Sequence, residues 1–290
     1  MPFTLSHAAA VLPALRRTGR ARGPLVASGL VCGSFAPDTV YFAESLIPGA
    51  MSWGTFTHSL PGILTADLAL TALLAAAWAA LRGPLLALAP ARLRSRAHPL
   101  LRGEPWRTGP DGLPPTRSRA VLAAWFACSA VLGSITHVVW DAFTHHDRWG
   151  TDLVPVLNRT VAGLPAHSWV QYGSSALAAL ILLGSIAHAL RHSPAPRTTP
   201  DTDPGTRPAP LPVLRGPDRL LIAGWLLLAV AIGVAFRVRR FYSFFDRADT
   251  PLDLIPTVCF GAGAGLAPAL LLYALWAHLR RTAPRTPGTA

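Results

Sequence analysis

The chain alternates between long apolar runs and short polar segments. Four runs are long and apolar enough to cross a bilayer as helices, and a fifth at 173–190 has about 18 residues, enough for one more span. The four longer runs are 61–82, 119–142, 218–237 and 255–279. Two shorter helical segments, 4–17 and 24–36, precede them. The pattern predicts an all-α, polytopic integral membrane helical bundle with about five full spans and a short N-terminal helical hairpin.

The polar segments indicate how the chain is divided. The segment 191–217 is rich in proline, threonine and aspartate and has no apolar period, which is typical of a flexible linker. We therefore expect four parts. They are a membrane core at 1–190, a flexible cytoplasmic linker at 191–217, two C-terminal transmembrane helices at 218–279 and a tail at 280–290.

Composition supports a membrane protein and argues against an ordinary soluble domain and a nucleic-acid-binding protein. Hydrophobic residues make up 51% of the chain and charged residues only 14%, well below the share in an ordinary soluble domain. The net charge is nevertheless +12, and all 26 basic residues are arginine. These arginines lie between apolar runs and do not form a basic stripe on a soluble surface, so we expect no nucleic-acid partner.

The arginines also predict an orientation. If the N-terminal hairpin enters and leaves the membrane on the same side, successive helices cross the membrane in alternating directions. In that arrangement 20 of the 26 arginines fall on one side of the membrane. The positive-inside rule makes that face cytoplasmic, in a multi-pass protein of the cell (plasma) membrane. The opposite, outer side then receives the segments 1–8, 37–60, 143–172 and 238–254.

Histidines and acids gather on this predicted outer side. The set comprises His7, Asp38, His58, His137, Asp141, His145 and His146, with His167 as a further candidate. Each has a simpler interpretation when taken alone, such as a helix cap for Asp38 or an ordinary hydrogen bond for a His-x-x-x-Asp pair. However, His137, Asp141 and His145 are spaced to share one helical face near the end of an apolar span, where ionisable groups need partners. The convergence of separate segments favours a shared metal site.

Four motifs in this order resemble a known family. They are LSHAAA at 5–10, GSFAPD at 33–38, GTFTHSLPG at 54–62 and GSITHVVWDAFTH at 133–145. The set resembles the DUF4184 family, an actinobacterial branch of bacterial membrane proteins that are themselves predicted to be metal-dependent hydrolases. The similarity covers about residues 1–180, including QYGSS at 171–175.

The resemblance implies a set of metal ligands. They are His7, Asp38, His58, His137 and Asp141, with His145 at a further polar position. The order of residues is also distantly similar to the zinc-dependent phospholipase C group, whose last motif normally ends in glutamate and whose additional histidines complete three metals. This chain has Asp141 at that place and fewer histidines, so we expect one or two divalent ions. Zinc is the first choice, with magnesium or manganese as alternatives.

The expected activity is hydrolysis of a membrane phosphoester or diphosphate lipid. Asp38 and Asp141 are candidate catalytic residues that bridge ions or orient water, and His145 or His146 is a candidate acid for the leaving group. The candidate substrate-binding residues are Arg237, Arg239, Arg240, Arg247 and Gln171, the last from the QYGSS motif. A simpler interpretation of the four arginines is that they anchor the helix end at the membrane interface.

Two other functions fit the same residues. A metal-dependent isoprenyl-diphosphate lyase or terpene cyclase would use the metal to ionise a diphosphate and aromatic side chains such as Trp140 and Phe143 to line the pocket. A non-catalytic, metal-stabilised membrane scaffold would need the metal only for folding. The oligomeric state does not follow from the sequence.

Overall fold

The computed structural model describes residues 3–101, 118–193, 214–248 and 250–282. The predicted all-α class is confirmed, because these residues are almost entirely helical. The α-helices are α1 Ala8–Val11, α2 Ala27–Gly33, α3 Thr39–Ala43, α4 Gly54–Thr57, α5 Leu60–Leu64, α6 Ala66–Leu88, α7 Ala91–Leu101, α8 Arg119–Ala142, α9 Trp149–Leu153, α10 Ala166–His192, α11 Gly216–Phe244 and α12 Leu254–Thr282. The 3-10 helices are Thr4–His7, Leu12–Ala14, Ala36–Asp38, Ala50–Trp53, Pro155–Asn158 and Pro251–Asp253. Two short antiparallel strands are β1 Thr160–Val161 and β2 Leu164–Pro165.

Within the described residues, five helices are long and apolar enough to cross a membrane, as the sequence predicts. They are α6, α8, α10, α11 and α12. The first of them begins at Ala66, later than the apolar run at 61–82, because Thr65 breaks the helix after α5. Helix α10 begins at Ala166, before the predicted 173, because its polar first turns bury His167 and Gln171 inside the bundle.

The arginine-rich segment after the first span is more ordered than its composition indicates. Helix α6 continues past the predicted end of its span at residue 82 to Leu88, and α7 follows at Ala91. Arginine is a good helix former, and α7 places Arg92 and Arg96 on its exposed side. Most of the predicted linker 191–217 and of the predicted tail 280–290 lies outside the described residues, and the four-part division stays a prediction.

Glycines bring α2 and α8 into close contact. A Cβ atom on Gly33 would lie 2.4 Å from the carbonyl oxygen of Ala130, and one on Gly133 would lie 2.3 Å from that of Leu30. Small residues of this kind allow helix backbones to approach closely in a membrane bundle. The contact sets Ser34, just after α2, beside the inner face of α8.

The last two spans form a hairpin that packs on the rest of the bundle. Gly233 on α11 and Gly261 on α12 hold the two helices together in the same way. At one end of the hairpin the Phe260 ring lies 5.0 Å from the Phe42 ring of α3, and at the other the Tyr273 hydroxyl donates a hydrogen bond to the carbonyl oxygen of Pro84 at 2.9 Å. The hairpin thus contacts α3 and α6.

We expect Gly133→Ala to destabilise the protein by about 1–3 kcal/mol, because the added methyl group must push α2 away from α8. The matched control is Gly184→Ala on α10, where a Cβ meets no atom within 4 Å. Thermal unfolding of the detergent-purified variants measures the difference. Equal midpoints for the two variants would contradict the close contact.

Candidate metal centre

Helix α8 supplies two inward-facing side chains one turn apart, His137 and Asp141. The His137 side chain is fully buried, and its Nδ1 lies 2.7 Å from the carbonyl oxygen of Ser34, to which it donates a hydrogen bond. This tautomer leaves Nε2 as a lone-pair donor. Nε2 lies 3.4 Å from Asp141 Oδ2 and 3.4 Å from Asp38 Oδ1.

His58 approaches the same point from the end of α4. Its Nδ1 donates to the carbonyl oxygen of Gly54 at 2.8 Å, so its Nε2 is again the free ring nitrogen. This atom lies 3.5 Å from Asp141 Oδ2 and 3.7 Å from Asp38 Oδ1. A Cβ on residue 54 would lie 2.4 Å from the Tyr41 hydroxyl oxygen, so only glycine fits between Tyr41 and the turn that orients His58.

Asp38 ends the 3-10 helix that follows α2, and its side chain is completely buried. Its Oδ2 accepts a hydrogen bond from the Thr4 hydroxyl at 2.5 Å, which fixes the carboxylate and turns Oδ1 toward the two histidines. The N-terminal segment thus orients one acid of the group.

These four residues form a group that could hold a metal ion. One ligand atom from each of Asp38, His58, His137 and Asp141 lies within 4.8 Å of the others. Within the described residues, Asp38 Oδ1 and His137 Nε2 are buried without a hydrogen-bond partner. Two carboxylates this close and this buried repel each other, and a divalent cation would remove that cost while using the unpartnered atoms. The donor set therefore fits a divalent metal.

His7 lies directly beside this group. Its ring stacks on that of His137 with centroids 3.8 Å apart, and its Nε2 lies 3.4 Å from Asp141 Oδ1. Burial lowers the pKa of His7 to about 3, so the ring is neutral near pH 7 and able to bind a metal. Among the described residues, neither ring nitrogen has a hydrogen-bond partner. Its role as a ligand stays a prediction.

His145 touches the group only through Asp141. Its Nδ1 lies 3.2 Å from the Asp141 carbonyl oxygen, and its Nε2 lies 2.9 Å from the Gln171 amide nitrogen, from which it accepts a hydrogen bond. Burial lowers the pKa of His145 to about 4. His146 points away into an exposed pair with Asp147 at 2.8 Å. The structure thus places His145 next to the four residues, Gln171 in contact with His145, and His146 outside the group.

The arginines predicted to bind substrate lie at the end of α11 and just beyond it. Arg240 forms an ion pair with Glu44 at 2.9 Å, and Arg237 donates to the Ser45 hydroxyl at 3.2 Å. Arg239 and Arg247 are exposed. These contacts join α11 to the end of α3, and substrate binding by the four arginines stays a prediction.

Asp67 is a neighbour of the group that the motifs do not predict. It lies in the first turn of α6, is fully buried and interacts electrostatically with His137 and Asp38. Within the described part of the chain, neither carboxylate oxygen has a hydrogen-bond partner. The signal in the sequence is a single acid inside the apolar run at 61–82, which is costly in a membrane and marks a functional position.

Comparison with protein families finds the same family that the four sequence motifs resemble. The model of the family described as "Domain of unknown function (DUF4184)" matches residues 1–275. The chain belongs to the DUF4184 family. The match extends beyond the 1–180 expected from the motifs and reaches into the last span of this DUF4184 protein. Comparison with curated proteins and with solved structures finds no match.

We expect His58→Ala and His137→Ala each to remove most of the bound metal from the purified DUF4184 protein, because each deletes one of four ligand atoms. His192→Ala is the matched control, since His192 is an exposed histidine at the far end of α10. Elemental analysis of folded wild type and variants measures the effect. Full metal content in either site variant would contradict the assignment.

We also expect the metal-free protein to lose stability as the pH falls from 6.5 toward 4. Unfolded histidine takes up a proton near pH 6.5, whereas His7 and His145 stay neutral in the fold down to about 3 and 4. The unfolded state then binds more protons, so the free energy of unfolding falls with pH, by a few kcal/mol. His7→Phe, which cannot be protonated, should show a shallower pH dependence of the unfolding midpoint. A flat profile for the wild type would contradict the burial argument.

Proposed function

We propose that this protein is an integral membrane, metal-dependent hydrolase that acts on a phosphoester or diphosphate lipid. The observation that supports the proposal is the position of the four-residue His/Asp group. It is buried inside the bundle, and its neighbours Trp140 and Thr144 also line an apolar groove. A soluble phosphate ester would need no such groove, whereas a lipid needs a polar centre and an apolar path in the same place.

The groove runs between α8 and α10 and has a volume of about 430 Å³. Val139, Trp140 and Phe143 line one side, and Val170 and Ser174 line the other. The Trp140 indole N–H donates to the Ser174 hydroxyl at 3.1 Å, and its ring meets the His7 ring edge-on at 5.2 Å. We assign the groove to one hydrocarbon chain of the substrate lipid, whose headgroup would lie at the His/Asp group.

Zinc is the first choice for the ion, because imidazole nitrogens and carboxylate oxygens are the ligands that zinc commonly takes in proteins. The four nitrogen–oxygen distances in the group are 3.4, 3.4, 3.5 and 3.7 Å, short enough for the four side chains to share one ion. A bound divalent ion would polarise a phosphoryl oxygen and lower the pKa of a water ligand.

The chain's own residues have separate roles in this proposal. Asp38, His58, His137 and Asp141 would hold the metal. The second Asp141 oxygen, Oδ1, lies 3.4 Å from His7 Nε2, and these two atoms would be the ligands available to a second ion. His145 is a candidate to accept a proton, because its ring is neutral near pH 7 and contacts Asp141 on one side and Gln171 on the other. His146, exposed beside Asp147, is an alternative proton donor nearer to solvent.

The orientation is part of the proposal. The arginine distribution supports cytoplasmic arginine-rich loops in a plasma membrane protein, with the metal group toward the outer face. The group lies near one end of the spans, at the start of α6 and the end of α8. A lipid headgroup at the outer bilayer surface would therefore reach it.

The test uses purified protein in nanodiscs, loaded with zinc and given phosphatidic acid or farnesyl diphosphate. We expect release of phosphate or diphosphate from the wild type and a loss of at least about 100-fold in His58→Ala and His137→Ala, together with metal loss. His192→Ala should keep full activity. Hydrocarbon products from farnesyl diphosphate would favour the lyase alternative. Unchanged lipids in a zinc-loaded wild type would overturn the hydrolase.

A further inference from the structure

A second apolar groove lies on the C-terminal hairpin, at the end away from the metal group. The metal group lies at the start of α6, whereas the Tyr273 hydroxyl beside this groove bonds to Pro84 near the end of α6. The groove runs between α11 and α12 and has a volume of about 320 Å³. Its lining residues are Leu221, Ile222 and Trp225 on α11 and Leu272, Tyr273 and Trp276 on α12.

Two arginines lie at the end of this groove. The guanidinium carbon of Arg280 lies 4.7 Å from the centre of the Trp276 ring, which places a positive charge over a side chain that lines the groove. Arg219 precedes Ile222 by three residues, so it lies on the same face of α11, one turn closer to the start of the helix. The Arg219 side chain is half-buried. Its Nε is buried and has no hydrogen-bond partner among the described residues.

Neither arginine is neutralised by an acid. In the part of the chain that the structure describes, no carboxylate forms an ion pair with Arg219 or Arg280, in contrast to Arg240, which is paired with Glu44. The acid beside Arg219 is Asp218, and its carboxylate accepts a hydrogen bond from the Arg215 backbone N–H at the start of α11. This end of the hairpin therefore has two positive charges available beside an apolar groove.

The position of the groove indicates what would fill it. Leu221 lies in the second turn of α11, near the end of a span, where the headgroups of the surrounding lipids lie. A hydrocarbon chain gains little by moving from the bilayer into an apolar groove, because both surroundings are apolar. The headgroup must then provide the selectivity. Two arginines attract a phosphate and repel the cationic group of a zwitterionic lipid.

We propose that this groove binds one acyl chain of an anionic phospholipid whose phosphate contacts Arg219 and Arg280. The site is separate from the metal group, so the inference does not depend on the proposed hydrolase. A lipid in this place would contact both helices of the hairpin beside Tyr273, the residue that joins the hairpin to α6. We therefore expect the bound lipid to stabilise the packing of the last two spans on the bundle.

The test is native mass spectrometry of the whole chain, purified in detergent and titrated with phosphatidylglycerol or with phosphatidylcholine of the same acyl chains. It measures the affinity of the first bound lipid. The variants are Arg219→Gln, Arg280→Gln, the combination of the two, and Leu272→Trp, which places a larger side chain in the groove. The matched control is Arg191→Gln, an exposed arginine on α10, which does not line the groove. The thermal midpoint of each variant without added lipid shows that it is folded.

We expect the wild type to bind phosphatidylglycerol about tenfold or more tightly than phosphatidylcholine, and each single arginine variant to lose about fivefold in phosphatidylglycerol affinity. The combined variant should lose the preference, Leu272→Trp should weaken the binding of both lipids, and Arg191→Gln should bind as the wild type does. Phosphatidylglycerol should also raise the thermal midpoint of the wild type more than phosphatidylcholine does.

Two results would overturn the site. Equal wild-type affinities for the two lipids would show that the arginines select no headgroup. Equal losses in Arg191→Gln and Arg280→Gln would show a general attraction of anionic lipid to the positive side of the protein.

Discussion

Asp38 and Asp141 carry two carboxylates that are almost completely buried at one end of an apolar bundle, where each would be costly alone. The residues around the pair lower the electrostatic cost of burying it. Two imidazoles turn Nε2 toward the acids, and their other nitrogens donate to the backbone carbonyls of Ser34 and Gly54. The remaining unpartnered oxygen and nitrogen atoms face one another at distances that a metal ion would bridge. The burial of two carboxylates therefore explains why two histidines face them with free ring nitrogens and why the group could hold a metal ion.

This arrangement depends on backbone contacts far more than on side-chain packing. The carbonyl oxygen of Ser34 reaches His137 only because Gly33 and Gly133 let α2 and α8 touch. The carbonyl oxygen of Gly54 reaches His58 only because residue 54 has no Cβ to meet Tyr41. Rigid helices with glycine contacts are well suited to this, because a metal site loses affinity when its ligands can move.

The sequence predicts the parts of the site that are local and leaves out those that depend on packing. The apolar runs predict the five spans, and the His/Asp types at 38, 58, 137 and 141 predict a common centre, which the structure brings together. Asp67 is missed because a single acid in a span has no motif around it. The pairing of Arg240 with Glu44 is missed because it joins residues far apart in the chain. Which arginine is neutralised is a tertiary property that no local pattern encodes.

Charge accounting connects this packing to the choice of substrate. A divalent ion between two carboxylates is neutral as a unit, so the centre by itself selects neither an anionic nor a neutral ligand. Selectivity must come from the residues that surround the centre. Toward α10 lies the apolar groove with Trp140. In the proposed function this groove would hold the hydrocarbon chain of a substrate whose phosphate would lie at the His/Asp group, and a ligand of that kind would gain from having the centre inside a membrane.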